Sequence, residues 1–179
     1  MPDSKLNGRT ALIVIPHTQF RDEEFFETKK ILEEAGAKVV VASTSVRTCH
    51  GMNGGSVAAQ VAIAEAKAED YDALVICGGT SVPEFLWNDK KLHELATSMS
   101  TAGKVIAAIC LSTVVLAKAK LLADRDATVY FLPQAIHELK TAGARYVNQP
   151  LVVHNKMILA EGPPESARFG QAICSALAS

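Results

Sequence analysis

The sequence predicts an α/β domain whose sheet is mostly parallel and covered by helices on both faces. Two observations carry this. Apolar runs of strand length, TALIVIP (10–16), YDALVICGG (71–79) and KVIAAIC (104–110), lack the alternation of a half-exposed strand. Between such runs lie segments of about a dozen residues with helical spacing, which places crossover helices between parallel strands.

Taken in order, TALIVIP is the first central strand. Residues 22–35, DEEFFETKKILEEA, set Phe25, Phe26, Leu32 and Ala35 at helical spacing, with Asp22 as an early cap, Gly36 as the stop and both phenylalanines as core. AKVVVAS (37–43) is a second strand. HGMNGGSV (50–57) reads as a hairpin turning at Asn53-Gly54-Gly55. Residues 58–69 are Ala-rich and fit helix or loop. After the strand 71–79, DKKLHELATSMSTAG (89–103) is an amphipathic helix, followed by KVIAAIC and a helix over 111–119. TVYF (128–131) is a short strand and PQAIHELKTAG (133–143) a helix. RYV and LVVH are strands, KMILA completes a hairpin at His154-Asn155-Lys156, and residues 163–178 form a terminal helix.

At 179 residues the chain is read as one domain, 1–179, long enough to bury roughly 70% of its unfolded surface. A formal net charge of −1 without a basic stripe argues against nucleic acid and anionic membrane as partners. The N-terminus, MPDSKLNGRT, is polar and lacks a signal-peptide core, and no apolar run approaches membrane-spanning length. Cysteines at 49, 77, 110 and 174 form no CxxC pair, which speaks against a zinc cluster or disulfide framework and fits a reducing cytoplasm. The expectation is a soluble cytoplasmic domain.

Parallel sheets of this kind hold ligands outside the carboxyl ends of their strands. Cys110 falls at such an end, where the chain must turn sharply into a helix. A nucleophile elbow crowds the residues two before and two after it, and here these are the small Ala108 and Ser112. The following helix start would lower the thiol pKa. An inert core cysteine is the competing reading. Gly78-Gly79 follows another strand and suits either an oxyanion nest or a plain tight turn. The cluster RDEEFFE opens the first helix; a carboxyl from Asp22, Glu23 or Glu24 could reach the elbow and, once buried, shuttle protons. The same acids equally suit a helix N-terminus with no further role. Among the histidines, His17 is the best placed, at the end of the first strand. His93 and His137 read as solvated, His154 as a hairpin residue, and His50 as a poor partner for the adjacent Cys49.

Together ALIVIP with FRDEEFFETKKILEEAG, DYDALVICGG, AGKVIAAIC, ATVY and the last helix resemble the ThiJ/PfpI superfamily. Its members include the parkinsonism-associated protein, bacterial chaperone-type glyoxalases and archaeal intracellular proteases. The resemblance implies a flavodoxin-like three-layer sandwich, class I glutamine amidotransferase-like, usually dimeric. It makes Cys110 the reactive cysteine. Counting back from Gly36 makes Glu24 the glutamate that hydrogen-bonds the sulfur. Gly79 and Leu111 would supply oxyanion amides, with Gly78 shaping the turn. The chain departs from the family at two places. Protease-like members carry Cys-His-Gly at the elbow, where this chain has Cys110-Leu111-Ser112. Another branch has a histidine on the later strand, where this chain has Tyr130, a weak base at neutral pH. Expected chemistry is therefore cysteine-dependent processing of small reactive carbonyls without metal or cofactor. Redox sensing through Cys110 is the alternative, and peptidase or amidase action comes third.

Overall fold

The computed structural model describes residues 4–179; residues 1–3, the start of the expected domain and of the polar N-terminal stretch, lie outside the described residues. The elements in chain order are β1 (Thr10–Val14), β2 (Thr18–Phe20), α1 (Asp22–Glu34), β3 (Lys38–Ser43), β4 (Thr48–Gly51), β5 (Ser56–Ala58) and β6 (Val61–Ala62). They continue with β7 (Ala73–Ile76), α2 (Val82–Phe85), α3 (Lys90–Thr101), β8 (Val105–Ile109) and α4 (Thr113–Lys118). Last come β9 (Asp126–Ala127), α5 (Pro133–Thr141), β10 (Arg145–Tyr146), β11 (Leu151–His154), β12 (Met157–Ala160) and α6 (Ser166–Ala178).

Seven strands form the central sheet in the order β11-β12-β8-β7-β1-β3-β6, parallel except for β11 against β12. Every residue of β7, β8 and β12 is buried. Successive strand side chains point to opposite faces, so both faces must be covered. α1 packs on α6, and α3 packs on α4, which packs on α5, giving one helical group per face. The fold is thus the mixed α/β sandwich that the uninterrupted apolar runs predict.

Several local expectations give way to tertiary partners. TVYF is not a strand. The nearby strand is the two-residue β9, which pairs in parallel with β10 outside the main sheet. Residues 128–131 instead cross the carboxyl end of the sheet, where the Tyr130 N–H donates to the Cys110 carbonyl at 3.3 Å. The Ala-rich stretch resolves into the edge strand β6 and two 3-10 turns. The expected helix from 111 begins as a 3-10 turn over Cys110–Ser112, and the terminal helix as one over Pro163–Glu165.

Asp22 does not cap α1, whose N-cap is Arg21. Its Oδ2 accepts the backbone N–H groups of Asn53 and Gly55, both at 3.1 Å, and so fastens the β4–β5 hairpin to the start of the helix. Phe25 is fully buried, but Phe26 is 39% exposed, resting against the hairpin at Gly55.

Candidate active site

β8, β7 and β1 are neighbours, so the segments leaving their carboxyl ends meet. The segment after β1 leads into α1 and brings Glu24. The segment after β7 is Gly78-Gly79, and the one after β8 is Cys110. Because β7 lies in the middle, Gly78 stands between the carboxyl and the thiol. Its N–H donates to Glu24 Oε1 at 2.7 Å, and its carbonyl accepts the Arg21 N–H at 2.9 Å. A Cβ at position 78 would lie 2.5 Å from Glu24 Oε1, 2.6 Å from Cys110 Cβ and 3.2 Å from its Sγ. Only glycine leaves Glu24 and Cys110 room to meet there. Gly79 needs the absent side chain for another reason: it runs at φ +146° against the backbone of Gln19 and Phe20.

Cys110 adopts φ +64°, left-handed backbone that costs a non-glycine residue about 1–3 kcal/mol. Its surroundings hold it there. Ala108 and Ser112 are fully buried, and the Ser112 hydroxyl donates to the Cys77 carbonyl at 2.6 Å. The Leu111 carbonyl accepts from Trp87 Nε1 at 2.8 Å. The elbow anticipated from small flanking residues is present, and three hydrogen bonds around it, from Ser112, Trp87 and Tyr130, maintain the strained turn.

Glu24 is completely buried, and burial pushes its carboxyl up to about 7, against the pull of the Gly78 N–H, the Cys110 thiol and the Arg21 charge. No donor reaches Oε2 in good hydrogen-bonding geometry; the Cys110 thiol is close enough for each group to alter the other's protonation. The thiol differs from the sequence expectation. Burial and the negative charge of Glu24 raise its pKa, and the Leu111 N–H at the turn offsets only part of that rise. A six-residue helix behind a 3-10 turn is a small counterweight to loss of water. Near neutral pH Cys110 is therefore a neutral thiol beside a carboxyl that titrates, rather than a free thiolate.

A cavity of about 600 Å³ opens onto Cys110, with Arg21, Met52, Gly79, Leu111 and Tyr130 among its walls. Tyr130 stands at the mouth, 46% exposed. Glu24 and Gly78 lie behind Cys110 rather than in the wall. His17 is not brought in. Its ring packs on Phe85 with centroids 4.3 Å apart, and its Nδ1 lies 3.3 Å from the Thr44 hydroxyl. Nor is His93 simply solvated, since its Nε2 is 2.8 Å from the Trp87 carbonyl. Among the described residues lining the cavity there is no histidine.

Five wall residues escaped the sequence reading: Arg21, Met52, Thr80, Pro163 and Pro164. Arg21 opens the cluster RDEEFFE; its Nε donates to Glu23 Oε2 at 2.8 Å, and its charge favours the ionised forms of both Glu24 and Cys110. Its position directly before the acidic residues was the available signal. Met52 sits in the hairpin, and nothing local says that the hairpin folds over Cys110.

A model of the DJ-1/PfpI family matches residues 9–176. An uncharacterised protein of Methanocaldococcus jannaschii is 43% identical over 172 residues, spanning 96% of this chain and 84% of its own. A protein of Pyrococcus abyssi named a deglycase is 30% identical, over 85% of this chain and 90% of its own. Among solved structures, a ThiJ/PfpI domain protein from Brachyspira murdochii superimposes with a TM-score of 0.89 at 31% identity, covering 95% of this chain and 98% of that one. Drosophila melanogaster DJ-1beta gives 0.84 at 25%, over 95% and 90%. Sheet order, the elbow and these likenesses agree, and the chain belongs to the DJ-1/PfpI family.

Proposed function

We propose that the protein processes small reactive carbonyls, converting a 2-oxoaldehyde to the 2-hydroxy acid without a thiol cosubstrate. The observation that carries this is the buried Cys110–Glu24 pair beneath a cavity of about 600 Å³, with the carboxyl poised near 7. A group titrating there can both take and give a proton at neutral pH. As Cys110 Sγ bonds to the aldehyde carbon, the thiol proton passes to Glu24 and the carbonyl π pair moves to oxygen. The amides of Gly79 and Leu111 stabilise that oxyanion, and Glu24 returns the proton to give a hemithioacetal. Glu24 then takes the hydrogen of the first carbon as a proton, leaving an enediolate, and returns it to the second carbon while the hydroxyl proton passes from the first oxygen to the second, leaving a 2-hydroxy thioester. Water cleaves the thioester, releasing the 2-hydroxy acid and restoring the thiol. Arg21 supplies positive charge beside the developing negative charge. The deglycase name of the Pyrococcus relative is in keeping with carbonyl-derived substrates.

A second reading is favoured by the absence of histidine from the cavity wall: Cys110 acts as a redox sensor, oxidised to a sulfinate held by Glu24 and the elbow amides. Peptidase action ranks third, because Leu111 occupies the place of the base.

The test is lactate formation from methylglyoxal by wild type, Cys110→Ser and Glu24→Gln. Multiple turnovers lost in both variants support the proposal, and turnover unchanged in both refutes it. Lactate no greater than the Cys110→Ser background, together with two oxygen atoms gained at Cys110 after peroxide, supports the sensor.

A further inference from the structure

A second cavity, of about 390 Å³, lies at the opposite end of the sheet. It sits where β8 begins, and the five residues of that strand, about 17 Å at strand rise, separate it from Cys110. Its walls carry Lys104, Arg125, His154 and Lys156 and no carboxylate. The turn of the β11–β12 hairpin brings Lys156 to this wall, tied to β8 by the Ile106 N–H donating to the Lys156 carbonyl at 2.9 Å.

Three other cations are paired with carboxylates. Arg9 pairs with Asp72 at 3.6 Å, Arg145 with Asp126 at 2.8 Å and Lys118 with Glu138 at 3.2 Å. Asp72, which shares a neighbouring depression with Lys104 and Lys156, is thus already engaged by Arg9 and also accepts the Thr10 N–H at 2.8 Å. Among the described residues Lys104, Arg125 and Lys156 have no acidic partner, although Asp124 adjoins Arg125 in sequence. Lys104 Nζ donates to the Ala68 carbonyl at 2.6 Å, which leaves its charge uncompensated. His154 Nε2 is closed off from solvent and meets no hydrogen-bond partner, so turning it toward a ligand breaks no bond.

Three uncompensated cations around one concavity repel each other, and this is the arrangement that a small polyvalent anion relieves. The geometry points to a binding site for a phosphate-bearing small molecule, formed by Lys104, Arg125, His154 and Lys156 and separate from the Cys110 cavity. The anion's oxygens take the fork of Arg125 and the ammonium groups of Lys104 and Lys156, while the His154 imidazole supplies a further polar contact. The site does not depend on what Cys110 does.

The test is calorimetric titration of the full chain with inorganic phosphate, with chloride at matched ionic strength as the control. Wild type is compared with the Arg125→Ala/Lys156→Ala double variant, whose fold is checked by circular dichroism. Saturable one-to-one binding, weakened about tenfold or more in the double variant, is the expected result. Phosphate binding of equal strength in both proteins overturns the inference. A second arm asks where the phosphate comes from, using phosphatidylcholine vesicles with and without phosphatidylinositol 4-phosphate. Co-sedimentation that requires the phosphoinositide and is lost in the double variant assigns the site to a lipid headgroup, which overturns the soluble ligand. No binding in either arm overturns the site altogether.

Discussion

Glu24→Gln should change how stability depends on pH, and the size of that change follows from the carboxyl's surroundings. In the folded chain the carboxyl is fully buried and titrates at about 7, against an ordinary value of 4.5. The folded state therefore holds this proton more tightly than the unfolded state does. Stability from this group is fully present below pH 4.5 and is lost as pH rises through 7. The gap between the two values corresponds to roughly 3 kcal/mol. Glutamine stays neutral and keeps an oxygen for the Gly78 N–H, so its variant escapes the loss.

Urea unfolding followed by Trp87 fluorescence, at several pH values from 4.5 to 8, measures the effect. Stability of the variant relative to wild type should rise by about 3 kcal/mol across that window and then level off. The lowered pKa of His17, caused first by burial, acts in the opposite direction but is common to both proteins and cancels. The raised Cys110 thiol stays protonated throughout the range. A wild-type-to-variant difference that stays flat from pH 4.5 to 8 would refute the buried, proton-holding carboxyl.

Other substitutions probe the site's supports. Gly78→Ala forces a methyl group within 2.5 Å of Glu24 Oε1 and 2.6 Å of Cys110 Cβ, and should cost about 1–3 kcal/mol in denaturant unfolding. Trp87→Phe removes the 2.8 Å bond to the Leu111 carbonyl and should cost about 1–3 kcal/mol by the same assay. Asp22→Ala frees the Asn53 and Gly55 amides, whose hydrogen exchange should accelerate while that of β8 is unchanged. Protection of those two amides equal to wild type would mean that Asp22 does not fasten the hairpin.

The central sheet was legible because strands buried on both faces leave an unmistakable record of unbroken apolar residues, as in residues 105–109. Cys110 was legible for a related reason: a strand must end and a helix begin within a few residues, and the small Ala108 and Ser112 permit it. What could not be read locally was the destination of polar side chains. Asp22 has the composition of a cap, yet two amides some thirty positions away claim its carboxylate. TVYF has the β-branched and aromatic content of a strand, but the chain just before it pairs with β10 outside the main sheet, and residues 128–131 span the site instead. The thiol's acidity was misjudged because the helix end is visible in sequence, whereas the depth of burial is not.

Gly78 also bears on how the molecule is assembled. Residues 24, 78 and 110 come from three distant stretches, and the hydrogen bond from Gly78 to Glu24 alone spans 54 positions. Such long closures are slow steps, taken after local helices and turns have formed. With β7 between the other two strands, neither thiol nor carboxyl gains its neighbour until the middle of the sheet is complete. A chain arrested before that point carries an ordinary exposed cysteine and an ordinary acidic side chain, so the paired chemistry emerges only with the finished sheet.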